Sequence, residues 1–177
     1  MEFIKTEIED LIIIKPSVYK DGRGYFMETF KESIFEDKFP HIDFIQDNES
    51  ASKYGILRGL HFQINPFSQT KLVRVSYGEV LDVAVDLRKK SKTFGKYFSI
   101  NLNSNNKLQL LIPRGFAHGY VVLSNYAVFN YKVDSIYSPK HEKGIIWNDP
   151  NINIDWKIPI DEIKLSKKDK TFKNFNF

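Results

Sequence analysis

The stretch Gly55-Ile-Leu-Arg-Gly-Leu-His-Phe-Gln63 sets a histidine inside an apolar run, close to an arginine and a glutamine. An imidazole flanked by groups able to hold an anion reads as a candidate general base. Strand parity puts His61 on one face with Leu57, Gly59 and Gln63, and turns Arg58 the other way unless a bulge or kink at Gly59 redirects it. Of the other histidines, His41 after Pro40 and His141 in Pro139-Lys-His-Glu142 have loop-like surroundings and read as surface residues. His118 lies in Pro113-Arg-Gly-Phe-Ala-His-Gly119, a turn whose glycines let the backbone approach a ligand, although a histidine there is as often structural. A metal site is the weaker reading. Position 63 is Gln, so a His-x-His pair on one strand face is missing, and His61 with His118 is a thin ligand set.

The elements that must carry these groups are mostly strands. Glu79–Leu87 alternates, with Leu81, Val83, Val85 and Leu87 facing one way and Val80, Asp82, Ala84 and Asp86 the other. Leu11–Ile14, Tyr25–Phe30, Ile42–Asn48, Leu57–Gln63, Lys71–Tyr77, Lys96–Leu102, Leu108–Ile112, Tyr120–Leu123 and Ala127–Ile136 also read as strands, with turn residues between them. One short helix is predicted over Glu32–Phe39, ended by Pro40, and Ser166 can cap a helical turn through Lys170. The expected architecture is all-β: an antiparallel sandwich or barrel in one domain over residues 1–177. The periodicity fades after Trp156, and a tail from about residue 157 is expected to pack on the barrel.

Aromatics at 15%, with fifteen Phe and nine Tyr, agree with a strand-rich chain. The absence of Cys excludes thiolate catalysis, zinc-thiolate sites and disulfides. Met1 leads into acidic and polar residues without an apolar leader segment, and no apolar run is long enough to span a bilayer, so a cytoplasmic protein with no membrane partner is expected. The formal net charge of +4 owes much to Lys164, Lys167, Lys168, Lys170 and Lys173, which read as a solvated end and not as a nucleic-acid surface.

Seven motifs in order extend the argument: Asp21-x-Arg-Gly-x-Phe-x-Glu28, Gln46-Asp-Asn48, Leu57-Arg-Gly-Leu-His-Phe-Gln63, Gln69-Thr-Lys-Leu-Val-Arg74, Asp82-Val-Ala-Val-Asp-Leu-Arg88, Pro113-x-Gly-Phe-Ala-His-Gly119 and Gly144-Ile-Ile-Trp-Asn-Asp-Pro150. Together they resemble the dTDP-4-dehydrorhamnose 3,5-epimerase family, from about Leu11 to Asp169. The resemblance implies a cupin-type jelly roll and an isomerase of nucleotide-diphosphate 4-keto-6-deoxy sugars, working through enolates without metal or other cofactor. It implies His61 as base, Asp169 as the carboxylate orienting it, Lys71 as the stabiliser of the enolate oxygen and Tyr131 as the acid on the opposite face of the sugar. Arg23, Phe26, Glu28, Gln46, Asn48, Arg58, Gln63 and His118 would hold the nucleotide sugar. The segment from Arg23 to Glu28 would reach the site of a second subunit, in a homodimer made by strand exchange.

Two departures from the family pattern concern specificity. Val133-Asp134 stands where relatives commonly carry Cys-Thr, and the tail after Asp169 lacks the usual proline. The best match is conversion of dTDP-4-dehydro-6-deoxy-D-glucose to dTDP-4-dehydro-L-rhamnose. Epimerisation of a GDP-linked 4-keto heptose at C3, C5 or both is the alternative, followed by a nucleotide-sugar 3,4-ketoisomerase or a non-catalytic sugar-binding cupin.

Overall fold

The computed structural model describes residues 1–176. Its strands, in chain order, are β1 (Glu2–Lys5), β2 (Ile12–Lys15), β3 (Val18–Asp21), β4 (Gly24–Met27), β5 (Gln46–Lys53), β6 (Leu57–Gln63), β7 (Lys71–Tyr77), β8 (Glu79–Asp86), β9 (Tyr97–Asn103), β10 (Gln109–Ile112), β11 (Phe116–Val122), β12 (Tyr126–Val133) and β13 (Glu142–Gly144). A helix, α1 (Glu32–Lys38), follows β4, and short 3-10 turns cover Ile160–Glu162 and Asp169–Thr171. No helix among the described residues is long and apolar enough to cross a membrane.

Two antiparallel sheets face each other, in the order β1-β2-β10-β7-β12-β5 and β13-β6-β11-β8-β9, while β3 and β4 pair alone as a hairpin. This is an open jelly roll. Strand alternation fills three apolar layers. Val73, Val75, Val80, Ala84, Leu102, Leu110, Val122 and Phe129 point between the sheets. Leu81, Val83 and Val85 take the outer side of β8, as their alternation predicts, and are covered there by Ile145, Ile152, Trp156 and the tail residues Ile163 and Leu165. Phe35 of α1 closes the outer side of the other sheet over Ile14, Leu72 and Leu111.

Of the strand boundaries that differ from the sequence reading, three have a clear physical reason. The run Ile42–Asn48 is not a strand throughout. Ile42 and Phe44 pack beneath α1, and β5 starts only at Gln46 and runs to Lys53. Its sequence, Gln-Asp-Asn-Glu-Ser-Ala-Ser-Lys, has no apolar alternation because β5 is an edge strand, paired to β12 alone. The strand expected at Tyr120–Leu123 begins instead at Phe116, so His118 sits on β11 and not in a turn. Gly119, which suggests a turn, is there because the backbones of Arg58 and Gly59 press against it, at 2.8 and 3.0 Å from where a Cβ would stand. Finally, β4 ends at Met27, and Phe30 joins the aromatic cluster under α1.

Candidate active site

The centre of the site is made by an irregularity in β6. Gly59 adopts φ +140°, a region closed to side chains with a Cβ, and the pairing of β6 with β11 slips between His118 and Tyr120. Parity therefore changes across Gly59. Leu57 packs in the outer apolar layer before it, and Leu60 and Phe62 pack there after it. Arg58, His61 and Gln63 are consequently all turned into one pocket between the sheets. The expected sharing of a face by Leu57 and His61 is thus overturned, and the kink at Gly59 redirects Arg58.

That pocket, of about 500 Å³, is also lined by Ser50, Gln69, Lys71, His118, Tyr120, Phe129, Tyr131, Tyr137, Glu142, Lys164, Lys168 and Asp169. His61 Nε2 lies 2.6 Å from Asp169 Oδ1. Asp169 is buried. Burial alone would raise its pKa, but hydrogen bonds with His61, Ser166 and the Gly59 backbone bring it below the usual carboxylate value. An ionised carboxylate can only accept, so Nε2 carries the imidazole proton and donates it. The Nδ1 lone pair is left free, with no hydrogen-bond partner among the described residues, as a base requires.

Asp169 arrives from the C-terminal tail. Ser166 Oγ accepts the Asp169 N–H at 3.0 Å, and the 3-10 turn that follows covers Asp169–Thr171, with Lys168 and not Ser166 at its N-cap. The tail is tied to β6 upstream, where Leu57 N–H donates to Lys164 O and Lys164 N–H to Gly55 O. The five tail lysines are exposed, as expected of a solvated end; Lys164 and Lys168 also line the pocket, and Lys168 pairs with Glu142.

A second imidazole–carboxylate pair stands beside the first. His118 is the register partner of His61 across β11 and β6. Its Nε2 donates to Asp82 Oδ2 at 2.9 Å, and its ring stacks near Phe129 at 6.0 Å. Both residues are buried, and burial lowers the His118 pKa despite the Asp82 carboxylate. The second Asp82 oxygen, Oδ1, is buried without a hydrogen-bond partner. Asp82 was legible as a charge on the inward face of an apolar strand, a position that demands a partner, but its link to His118 was not.

The opposite wall comes from the six-stranded sheet. Lys71 begins β7 and Tyr131 lies on β12, where Tyr131 pairs with Val73. Burial pulls Lys71 from 10.5 to about 8, against the opposing pull of Asp82 and Glu142. Burial, reinforced by Tyr120, pushes the Tyr131 phenol up and keeps it protonated. Asp134, a departure from the family pattern, accepts the Thr70 N–H at 2.6 Å and an Arg114 hydrogen bond at 3.1 Å. It thereby fixes the residue that precedes Lys71.

The expected binding residues divide into three groups. Arg58 and His118 line the pocket, Arg58 Nε donating to Ser52 Oγ at 3.1 Å. Gln63 also lines it, but its amide is engaged by the loops: Nε2 donates to Phe67 O and Ile136 O, and Oε1 accepts the Ser138 N–H. Gln46 and Asn48, bonded to each other at 2.7 Å, follow Ser50 and Ser52 on the inward side of β5, where Asn48 pairs with Tyr131. Arg23, Phe26 and Glu28 do not reach this pocket. They lie on or beside the β3–β4 hairpin, with Phe26 65% exposed. His41 is exposed as expected. His141 is not a free surface residue, because its Nδ1 meets Ser138 Oγ at 2.8 Å and its ring packs on Phe67. Glu142, which accepts from Tyr137 at 2.5 Å, belongs to the pocket wall and had no sequence signal beyond a loop. Among the described residues no group of three or more His, Asp or Glu is placed to hold a metal ion.

Comparison with known proteins agrees with this geometry. The family model for dTDP-4-dehydrorhamnose 3,5-epimerase matches residues 5–176. The enzyme of that name from Shigella flexneri is 52% identical over 170 residues, covering 96% of this chain and 93% of its own. The crystal structure of the Elizabethkingia anophelis enzyme superposes with a TM-score of 0.95 at 49% identity, over 99% of this chain and 96% of the other. A dTDP-6-deoxy-D-glucose-3,5-epimerase from Legionella pneumophila, solved in complex with dTDP-4-keto-L-rhamnose, gives 0.93 at 45% identity, over 98% and 92%. With its motifs, its jelly roll and nearly its full length matched, this chain belongs to the dTDP-4-dehydrorhamnose 3,5-epimerase family.

Proposed function

We propose that the protein inverts C3 and C5 of a dTDP-linked 4-keto-6-deoxy sugar, taking dTDP-4-dehydro-6-deoxy-D-glucose to dTDP-4-dehydro-L-rhamnose. The observation that carries this reading is that a carboxylate-oriented imidazole and a protonated phenol stand on different sheets of one pocket, with an ammonium group among them. Inverting a carbon next to a ketone requires a proton to leave from one face and another to arrive from the opposite face. His61 Nδ1 takes the proton from carbon, and Asp169 stabilises the imidazolium that forms. The electron pair moves to O4 as an enolate, which the Lys71 ammonium stabilises. Tyr131 then donates its phenolic proton to the same carbon from the other side. Proton exchange with solvent restores both groups, so the sequence balances without an oxidant or reductant.

Arg58 supplies a planar donor fork suited to the diphosphate, with His118 on the same sheet and Gln46 and Asn48 on the facing one. Arg23, Phe26 and Glu28 complete the nucleotide pocket of a second subunit, which makes the enzyme a cytoplasmic homodimer. The exposed aromatic hairpin supports that exchange, since Tyr19, Tyr25 and Phe26 are all more than half exposed on it.

Proton NMR in deuterium oxide tests the assignment. With dTDP-4-keto-6-deoxyglucose, the C3 and C5 proton signals are expected to disappear. His61→Asn should abolish exchange while nucleotide binding survives, and Tyr131→Phe should retain exchange but lose inversion. Unchanged exchange in His61→Asn would remove His61 as the base. Exchange with a GDP-linked 4-keto heptose alone would replace the substrate assigned here.

A further inference from the structure

We propose that Phe172 is a positioning residue for His61 and that Gly144 is glycine to admit its ring, a role that rests on His61 being the base. Gly144 is the direct register partner of His61 across β13 and β6. A Cβ built at Gly144 would stand only 2.4 to 2.5 Å from Cδ2, Cε2 and Cζ of the Phe172 ring. The same ring meets the His61 imidazole at 5.5 Å between centroids and 75° between planes, an edge-to-face contact. The imidazole is thus held by two groups from one short stretch of tail. Asp169 fixes it through Nε2, and Phe172, three residues on, restrains the ring itself.

Simple anchoring of the tail does not account for Phe172. The tail is already tied beside it, where Ile145 pairs with Lys173 and the Ile146 N–H donates to Lys173 O at 3.0 Å. Nor does Phe172 join the apolar layer that the tail covers, whereas Ile163, Leu165 and Phe175 do. Its ring stands against the glycine opposite the base and against the base itself. A base must sit close to its near-attack position, and displacement by about 1 Å is worth up to about 100-fold in rate. The Phe172–Gly144 contact limits how far the imidazole can turn about its bond to Asp169.

Two readouts test this, one of which needs no substrate. In the first, Phe172→Ala should lower kcat for proton exchange by about 10- to 100-fold with KM little changed, and Phe172→Leu, which keeps an apolar side chain, should recover part of it. Gly144→Ala should be severe in the parent and add little in the Phe172→Ala background, because the clash is then gone. In the second, the low-field Nε2–H proton of the dyad, identified by its loss in His61→Asn, should be sharp in the parent and broadened by water exchange in Phe172→Ala. Full kcat and an intact low-field proton in Phe172→Ala would overturn the proposal, as would equal damage from Gly144→Ala in both backgrounds. A protein without epimerase activity whose low-field proton still depends on Phe172 would refute the assigned reaction and uphold the positioning role.

Discussion

Lys71 is a cation held where water is scarce, and its energetics run against stability. Burial pulls its pKa from 10.5 to about 8, so the folded state disfavours the charged form that the proposed enolate stabilisation uses. Between about pH 8 and 10.5 the unfolded chain holds this proton and the folded chain does not, so the Lys71 contribution to stability improves as pH rises through that window. Below about pH 8 the cost is present in full. At ~1.4 kcal/mol per unit the shift is of order 3 kcal/mol. Lys71→Met should therefore unfold at a higher urea concentration than the parent at pH 7, with the advantage shrinking towards pH 10. Turnover should fall by about 100-fold or more, as on loss of an oxyanion donor. A urea midpoint at pH 7 no higher than the parent's would contradict the desolvation argument. In the parent, turnover should decline as pH rises through about 8, since the ammonium group is then lost.

Among the elements, β6 does the most to assemble the site, and it does so by departing from regular pairing at Gly59. A Cβ there would stand 2.5 Å from Gly119 Cα and 3.0 Å from His118 O. Gly59→Ala accordingly meets both a forbidden φ and a backbone clash, and should cost at least about 3 kcal/mol of stability. Thermal unfolding, with soluble yield as a second measure, checks this; a melting temperature within a degree or two of the parent would show that β6 and β11 separate more easily than their contact implies. The same strand shows what sequence can and cannot reveal. The alternation of β8 and the apolar face of α1 were legible because water enforces them locally. The inward turn of Arg58 was legible only as a condition on Gly59, because parity is lost at a bulge. β5 left no pattern, since an edge strand with polar residues on both faces satisfies no periodicity. The tail lysines are solvated as read, but that Lys164 and Lys168 also line the pocket, and that Glu142 joins its wall, was not legible, because chain ends and loops carry no periodic signal of what they dock on. Asp169 and Lys71 were identified through motif order and not through any property of their own neighbourhoods.

At the scale of the whole molecule, the chain leaves a separate two-stranded hairpin bearing exposed aromatics, while among the described residues Arg58 is the one arginine lining the pocket. If each hairpin completes the other subunit's site, the two halves of a site lie on different chains, and defects in them complement. One protomer carrying His61→Asn keeps an intact hairpin, and one carrying Arg23→Ala with Phe26→Ala keeps an intact body. Each homodimer is then defective in both of its sites. A mixed dimer combines the good body of one chain with the good hairpin of the other in one site, and places both defects in its second site. With random reassortment half of the dimers are mixed, so co-refolded protein should recover roughly a quarter of the parent rate in a closed two-fold dimer. A hairpin that serves its own chain gives no recovery, because neither parent chain then contains a complete site. Activity of the co-refolded mixture, set against the two variants assayed apart and against the mass in solution, separates the two arrangements.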